Sequence, residues 1–287
     1  MRWQGRRGSS NIEDRRRMGG GGGRIGGGRG IAVGGAGGLG LLAIVLVGMF
    51  LGVDLTPLLD DGSAGRTGPA APISAEDERL AQMVSVTLAD TEEVWADIFR
   101  QDLGLPYEPV TLVLFRGATR SACGAASLQT GPFYCPADRR VYLDTEFFAV
   151  MERRLGAGGD FAAAYVVAHE VGHYVQDELG ILAESRRGRQ QGADSAAVRV
   201  ELQADCFAGI WAHHADARWG ILEPGDVEEA MNAAARIGDD ALQRQGGGVV
   251  RPETFTHGTS EQRQRWFWRG YEAGDIAACD TFRARTL

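Results

Sequence analysis

The sequence lacks lysine altogether, so every basic side chain in the set of 30 is an arginine. This bias is typical of a GC-rich genome, and we assign it no functional meaning. Cysteine is also scarce, because four in 287 residues are too few for a small disulfide-framework protein. Apolar residues make up 44% and charged residues 24%, which is ordinary globular usage and excludes wholesale disorder. The length suffices for one large domain or two small ones.

Net positive charge is confined to the N-terminal end of the chain. The formal net charge is -8, yet residues 1–29 hold eight arginines against Glu13 and Asp14. The rest of the chain is therefore strongly acidic. It repels phosphate and has no basic face, so we expect no nucleic-acid partner. Residues 1–30 are also rich in glycine, which predicts a disordered Arg/Gly tail. Such a tail could contact RNA or anionic lipid, but we favour a solvated segment that sets membrane orientation.

One long segment has no charged side chain. Residues 31–53 would span about 34 Å as a helix, enough to cross a bilayer. A cleaved signal peptide is the alternative, but its apolar region is usually shorter and ends in small residues. Arginine precedes the segment and aspartate follows it, so the positive-inside rule predicts a single-pass membrane protein with a cytoplasmic N-terminus. Residues 54–73 then read as a linker, and residues 74–287 as an extracytoplasmic domain.

The pattern of residues 74–287 predicts an α+β domain that is mainly helical, with a small sheet. Ser74 is a good N-cap, with Asp77 three residues later and helical apolar spacing beyond it. Strands are expected at residues 109–115 and 140–144. Helices are expected from Thr145 to Gln245, with breaks at 156–160, 185–195 and 220–225, and again after Thr259.

A zinc-site motif lies inside the apolar helical stretch Phe161–Leu179, at His169-Glu170-Val171-Gly172-His173. Residues i and i+4 share a helical face, so His169 and His173 can present two imidazoles to one Zn²⁺ ion. Glu170 lies slightly aside, where it can take a proton from a metal-bound water as general base. The apolar surroundings favour neutral imidazoles, the form that binds metal.

Catalytic zinc usually has three protein ligands, so one more is needed. The best candidate is Glu201, because Glu201 and Asp205 share a face of an unusually apolar helix. Asp205 would then accept the free ring N–H of a ligand histidine. Weaker candidates are Glu178 and Glu184, and Cys206 is a rival as a thiolate ligand.

The remaining histidines and the cysteines allow further predictions. His257 precedes a helix N-terminus and could stabilise a developing oxyanion, or it could serve only packing or capping. His213 and His214 are adjacent and point apart on a helix, so we expect them to pack rather than bind metal. Adjacency favours disulfides Cys123–Cys135 and Cys206–Cys279 among three possible pairings, which would suit an extracytoplasmic domain.

These residues resemble a known family, the neutral zinc metallopeptidases of bacteria. The resemblance rests on the His169–His173 motif, on Glu201-Leu202-Gln203-Ala204-Asp205, on the Cys123–Pro136 loop and on Val141-Tyr142-Leu143-Asp144, and it extends to the Arg-rich N-terminus. It implies a membrane-anchored, gluzincin-like protein with a zincin-like fold and one Zn²⁺. It also implies that Glu201 is the third ligand and that Asp205 supports the site. Thr256-His257 with Arg263 is similar to a His…Arg element of related membrane-linked zinc peptidases, which implies that His257 lies near substrate.

The sequence thus predicts a membrane-anchored zinc endopeptidase acting on peptide or protein substrates. Val141–Asp144 could pair with an extended peptide as an edge strand. Two alternatives stay open: an inactive, zinc-retaining envelope scaffold, and a metal-free protein that carries the motif by chance. The substrate and the oligomeric state are undetermined.

Overall fold

The computed structural model describes residues 1–18 and 72–287. These residues form a mainly helical α+β structure, as predicted. The first helix is α1 (Ala75–Ile98), which continues into a π-helical turn at Phe99–Leu103. The later helices are α2 (Thr145–Leu155), α3 (Asp160–Glu178), α4 (Ile181–Ser185), α5 (Ala196–Trp219), α6 (Asp226–Arg236), α7 (Asp239–Gln245) and α8 (Ser260–Ala273).

A four-stranded sheet lies beside the helices. The strands of the described residues are β1 (Ile12–Asp14), β2 (Thr111–Phe115), β3 (Ala118–Ser121), β4 (Gly124–Ser127), β5 (Phe133–Cys135) and β6 (Arg140–Asp144). The sheet order is β1-β2-β6-β5, with β1, β2 and β6 parallel and β5 antiparallel to β6. Strands β3 and β4 form a separate antiparallel pair. Both predicted strands are therefore present, and both are almost fully buried.

Side-chain caps fix where the helices begin. The Ser74 hydroxyl accepts a hydrogen bond from the Asp77 N–H, and the Asp77 carboxylate accepts one from the Ser74 N–H. Thr259 and Gln262 form the same capping box ahead of α8. Ser195 caps α5 through the N–H of Val198. The helix starts predicted at Ser74 and after Thr259 are therefore confirmed.

Helix α3 forms the centre of the core. It is buried along most of its length and packs against α5. The two helices approach closely at Gly172, where an added Cβ would lie 3.1 Å from the carbonyl oxygen of Ala204. Helices α5 and α8 are closer still, because a Cβ on Gly270 would lie 1.9 Å from the Cys206 carbonyl oxygen. Glycine at both crossings lets the three helices that carry the site lie against one another.

The predicted disordered tail is wrong for residues 1–18, which we call the N-terminal strap. Strand β1 within the strap pairs with β2, and Trp3 is only 5% exposed. The Arg6 guanidinium donates to both carboxylate oxygens of the buried Asp90, at 2.7 and 2.8 Å. Arginine side chains of the strap thus pair with carboxylates of the domain, and the edge of β2 provides backbone hydrogen-bond partners for the strap. The folded unit includes the strap as well as the chain from Ser74 onward.

The membrane prediction falls on residues that the structure does not describe. The proposed span at 31–53 lies outside the described residues, as do residues 19–30 and the linker up to residue 71. Within the described part of the chain, no helix combines the length and the apolar character needed to cross a bilayer.

Candidate metal centre

Two helices bring His169, His173 and Glu201 to one point. One ligand-type atom from each residue lies within 4.8 Å of the others. The carboxylate oxygens of Glu201 (on α5) lie 3.3 Å from His169 Nε2 and 3.5 Å from His173 Nε2, both on α3. Tetrahedral zinc with bonds of 2.0–2.1 Å requires donor atoms about 3.3 Å apart. The two-histidine, one-carboxylate set therefore fits a zinc ion in both chemistry and spacing.

The other ring nitrogen of each histidine is held by a fixed acceptor. His169 Nδ1 lies 2.8 Å from Asp205 Oδ1, and His173 Nδ1 lies 2.9 Å from Gln176 Oε1. The Gln176 amide nitrogen donates to the Val200 carbonyl and to Gln203, so its oxygen must face His173. Both Nδ1 atoms consequently carry the proton in the neutral rings, and both Nε2 lone pairs face the candidate metal position.

Asp205 is the centre of a buried polar cluster behind His169. The Arg263 guanidinium donates to it twice at 2.9 Å, from Nε to Oδ2 and from Nη2 to Oδ1. The Tyr165 hydroxyl donates to Oδ1 at 2.5 Å and lies 3.2 Å from Arg263 Nη2. Asp205 is fully buried and Arg263 is 2% exposed. The arginine therefore compensates the carboxylate charge, and the cluster fixes the direction in which Asp205 meets the histidine.

When no metal ion is bound, the charged groups of the site favour a proton on His169. Burial disfavours the charged His169 ring, but Asp205 and Glu201 outweigh this and raise its pKa to about 10. Burial also opposes ionisation of Glu201, yet the charges of His173, His257 and His169 hold its pKa well below the ordinary value. The metal-free site thus pairs His169 with an ionised Glu201, and a metal ion must displace that proton to bind.

Glu170 is only 7% exposed and lies close enough to His169, His173 and Glu201 for their charges to interact with its own. Burial raises the pKa of its carboxyl, while the positive charges of His173 and His169 oppose the rise. The backbone N–H of Tyr134 on β5 also opposes it. A carboxylate with a raised pKa beside two metal-type histidines is suited to accept and return a proton near neutral pH.

His257 approaches the site from the loop before α8, and Asp239 holds that loop. Oδ2 of Asp239 accepts the backbone N–H groups of Thr256, His257 and Gly258 at 2.8, 2.7 and 3.0 Å. Its Oδ1 lies 3.3 Å from His257 Nδ1. Burial lowers the pKa of His257, but Glu201 and Asp239 outweigh burial and raise it. The side chain thus lies close enough to Glu201 for their charges to interact.

The other sequence candidates lie elsewhere. His213 and His214 contact the carbonyl oxygens of Tyr271 and Gly274 at 2.8 Å, so they pack as expected. Glu178 pairs with Arg139. Glu184 is absent from the metal-type groups found among the described residues. Cys206 is no thiolate, because the predicted disulfides Cys123–Cys135 and Cys206–Cys279 are both present.

Sequence reasoning missed three residues of the site. Tyr165 precedes His169 by four positions and Gln176 follows His173 by three, so helical spacing could have identified both. Asp239 is 18 residues from His257 on a separate helix, and no sequence spacing connects them. Its role is visible only from the loop that it holds.

Known proteins are similar to this chain over most of its length. The family described as "Putative neutral zinc metallopeptidase" matches residues 1–282. The protein YpfJ of Escherichia coli (strain K12) is 50% identical, covering 98% of this chain and 99% of its own length. The protein Rv2575 of Mycobacterium tuberculosis (strain ATCC 25618 / H37Rv) is 43% identical over 83% of this chain and 86% of its own. No solved structure matches the chain. The chain belongs to the neutral zinc metallopeptidase family.

Proposed function

We propose that this protein is a zinc-dependent peptidase of the HExxH type that hydrolyses peptide bonds in peptides or proteins. The observation that carries the proposal is the buried Glu170 beside a donor set of His169, His173 and Glu201 with zinc-compatible spacing. A single zinc ion held by these three side chains would supply Lewis-acid polarisation of water and of a carbonyl oxygen. The zincin-like fold implied by the resemblance is part of the same proposal.

The chain's own residues then move protons and orient the reacting groups. Glu170 accepts a proton from the attacking water and passes it to the leaving amine. Burial supports this role, because a raised pKa makes the Glu170 carboxylate a stronger base toward the water than an exposed carboxylate would be. Asp205 and Gln176 keep the two histidine rings in their ligand orientation.

His257 is the candidate for stabilising the oxyanion. Its Nδ1 lies near Thr256 Oγ1 and Asp239 Oδ1, which leaves Nε2 as the ring atom available to a substrate. The raised pKa favours the charged ring, a donor that strengthens as negative charge develops on the carbonyl oxygen. We therefore propose that His257 donates to the tetrahedral oxyanion.

The substrate strand must be placed differently from the sequence prediction. Val141–Asp144 was expected to be an edge strand, but β6 lies between β2 and β5 and has no free edge. In the described sheet the outer strand on that side is β5. The Tyr134 hydroxyl donates to Asp177 at 2.8 Å, which connects β5 to α3, the helix that carries Glu170. We propose that an extended substrate pairs with the outer edge of β5, beside Glu170.

The cell compartment is also part of the proposal. Two disulfides and no free cysteine among the described residues are typical of an oxidising environment. We propose that the catalytic domain lies outside the cytoplasm and is attached to the cell membrane through residues 31–53.

The test compares the full chain with its Glu170→Gln variant. Full-length protein is needed because the strap belongs to the sheet. Zinc content is measured by elemental analysis, and cleavage is followed with casein and a quenched-fluorescent peptide library. The matched control is Glu178→Gln, the same substitution on the same helix at a residue that pairs with Arg139.

A peptidase requires zinc in all three proteins and cleavage by wild type and Glu178→Gln only. Zinc in all three with no cleavage by any of them would instead support the inactive scaffold, and equal cleavage by all three would refute Glu170 as the general base. If the wild type binds no zinc, the interpretation of the site is wrong.

A further inference from the structure

The strap ends at the N-terminal end of α1. The backbone N–H of Arg15 donates to the Leu114 carbonyl at 2.7 Å, which continues the pairing with β2. Arg16 then reaches the first turn of α1, where Nη1 donates to the Asp77 carbonyl at 2.9 Å. Arg16 also pairs with Glu78 at 3.1 Å. The last strap residues are therefore fixed against the start of the helix.

The chain re-enters the described structure at the same place. The carbonyl oxygen of Pro72 accepts a hydrogen bond from Arg116 at 3.2 Å. Arg116 follows β2 and lies 3.8 Å from the Asp77 carboxylate. Asp77 thus links the two ends: its carbonyl holds Arg16 and its carboxylate faces Arg116. The described residues that flank the segment 19–71 therefore lie at one pole of the domain. We call it the tether pole, and it is formed by Arg16, Pro72, Asp77 and Arg116.

The strap is built into the domain by more than one strand pairing. The Asp90 carboxylate is nearly buried, and Arg6 donates to both of its oxygens. Ser9 and Asn11 donate to one oxygen of the buried Glu92, at 2.5 and 2.8 Å. Removing the strap would leave two buried carboxylates of α1 without these donors and would expose the edge of β2. Buried carboxylates without hydrogen-bond donors and an unpaired strand edge both destabilise a fold, so the strap and the domain form one folded unit.

We infer that the strap and residues 72–287 lie on the same side of the membrane, with the tether pole facing the bilayer. The predicted topology, with a cytoplasmic N-terminus and one crossing at residues 31–53, places a membrane between β1 and β2 and is incompatible with their pairing. Residues 31–53 carry no charge and favour lipid. The described residues on both flanks of this segment lie at the tether pole, on one side of the domain.

The arginines on which the orientation prediction rests form ion pairs in the folded structure. Arg7 pairs with Glu93 at 2.8 Å, and Arg15 pairs with Glu13 at 2.7 Å. Together with Arg6 and Arg16, these side chains hold carboxylates of the strap or of α1. These arginines are therefore part of the folded unit, and the pairing of β1 with β2 places the strap on the side of the domain whatever the arginine count predicts.

The test places single cysteines on each part of the full chain in bacterial cells. Ser10→Cys marks an exposed site on the strap, and Val249→Cys is the matched control at a 79% exposed site on the domain. Spheroplasts are treated with a membrane-impermeant maleimide, and the remaining thiols are counted after lysis. Same-side placement requires equal labelling of the two variants. Labelling of Val249→Cys with protection of Ser10→Cys overturns the inference.

A designed cross-link gives a second readout. A Cβ at Gly8 would lie 3.3 Å from the Ser85 Cβ, close to the separation in disulfides. Gly8→Cys with Ser85→Cys should therefore form a bond in cells, whereas each single variant keeps a free thiol. Native disulfides without this bond count against the docked strap. Neither readout depends on peptidase activity. Equal protection of both labelling variants would support same-side placement while contradicting the proposed extracytoplasmic location.

Discussion

Replacing Arg263 tests whether the buried cluster behind His169 supports the metal centre. Arg263→Met removes both donors to Asp205 and leaves a fully buried carboxylate with only Tyr165 and His169 as partners. Breaking one side of a buried ion pair costs about 3–5 kcal/mol of unfolding free energy. Asp205 would then lose its fixed direction toward His169, and losses of this kind weaken metal binding by about 10–100-fold.

Arg263→Lys is the informative companion variant. Lysine keeps the positive charge but cannot form the two-pronged contact with the carboxylate. We expect a smaller loss of stability than in Arg263→Met, with zinc affinity between that of Arg263→Met and wild type. Urea unfolding in chelator gives the stability of the metal-free protein, and competition with a chromogenic chelator gives the zinc Kd.

The two measurements separate a supporting role from a merely structural one. A variant that loses stability while its zinc Kd stays at the wild-type value would show that the cluster holds the fold alone. An Arg263→Met protein whose unfolding free energy changes by less than about 0.5 kcal/mol, the range of ordinary surface substitutions, would refute the argument from buried charge.

Three further predictions follow from other contacts. Asp239→Ala should lower kcat as far as His257→Ala does, leave zinc affinity unchanged and add nothing in the double variant; additive losses in peptide cleavage would contradict a positioning role. Burial raises the pKa of Asp144 to about 6, so the folded state holds this proton more tightly and unfolding free energy falls as pH rises from about 4 to 6. Asp144→Asn should remove that part of the fall, at most about 3 kcal/mol, and urea titrations with parallel pH profiles would contradict it. Replacing both Cys206 and Cys279 with alanine should lower unfolding free energy by about 4 kcal/mol, because their bond closes a loop with a separation of 73; guanidinium denaturation without that loss would count against the loop-entropy argument.

The helices could be predicted from the sequence because capping and helical spacing depend on residues only three or four positions apart. Ser74 and Thr259 cap helices through residues three positions away, and the spacing of His169 and His173 places both on one face of α3. Even Glu201 could be proposed from sequence, because an acidic pair on an apolar helix has few favourable roles. The disulfide pairing was proposed on adjacency and is also present.

Short strands and distant partners escaped the sequence because nothing local marks them. Strand β5 has three residues, and β1 lies in an Arg- and Gly-rich region whose composition predicts disorder. Each forms only because a neighbouring strand supplies backbone partners. The same reason explains the misassigned edge strand, since the position of β6 between β2 and β5 depends on pairing order.

The sequence by itself determined the chemistry of this protein: two histidines and a glutamate on one helix, a carboxylate pair on another, and the caps that begin their helices. Only the tertiary structure decided what surrounds that chemistry. It placed Arg263 on Asp205 and Asp239 on the His257 loop, and it joined the strap to β2. The physical reason is that helix periodicity and capping act over three or four residues. Buried charge pairs and strand pairing instead join residues that only the complete fold brings together.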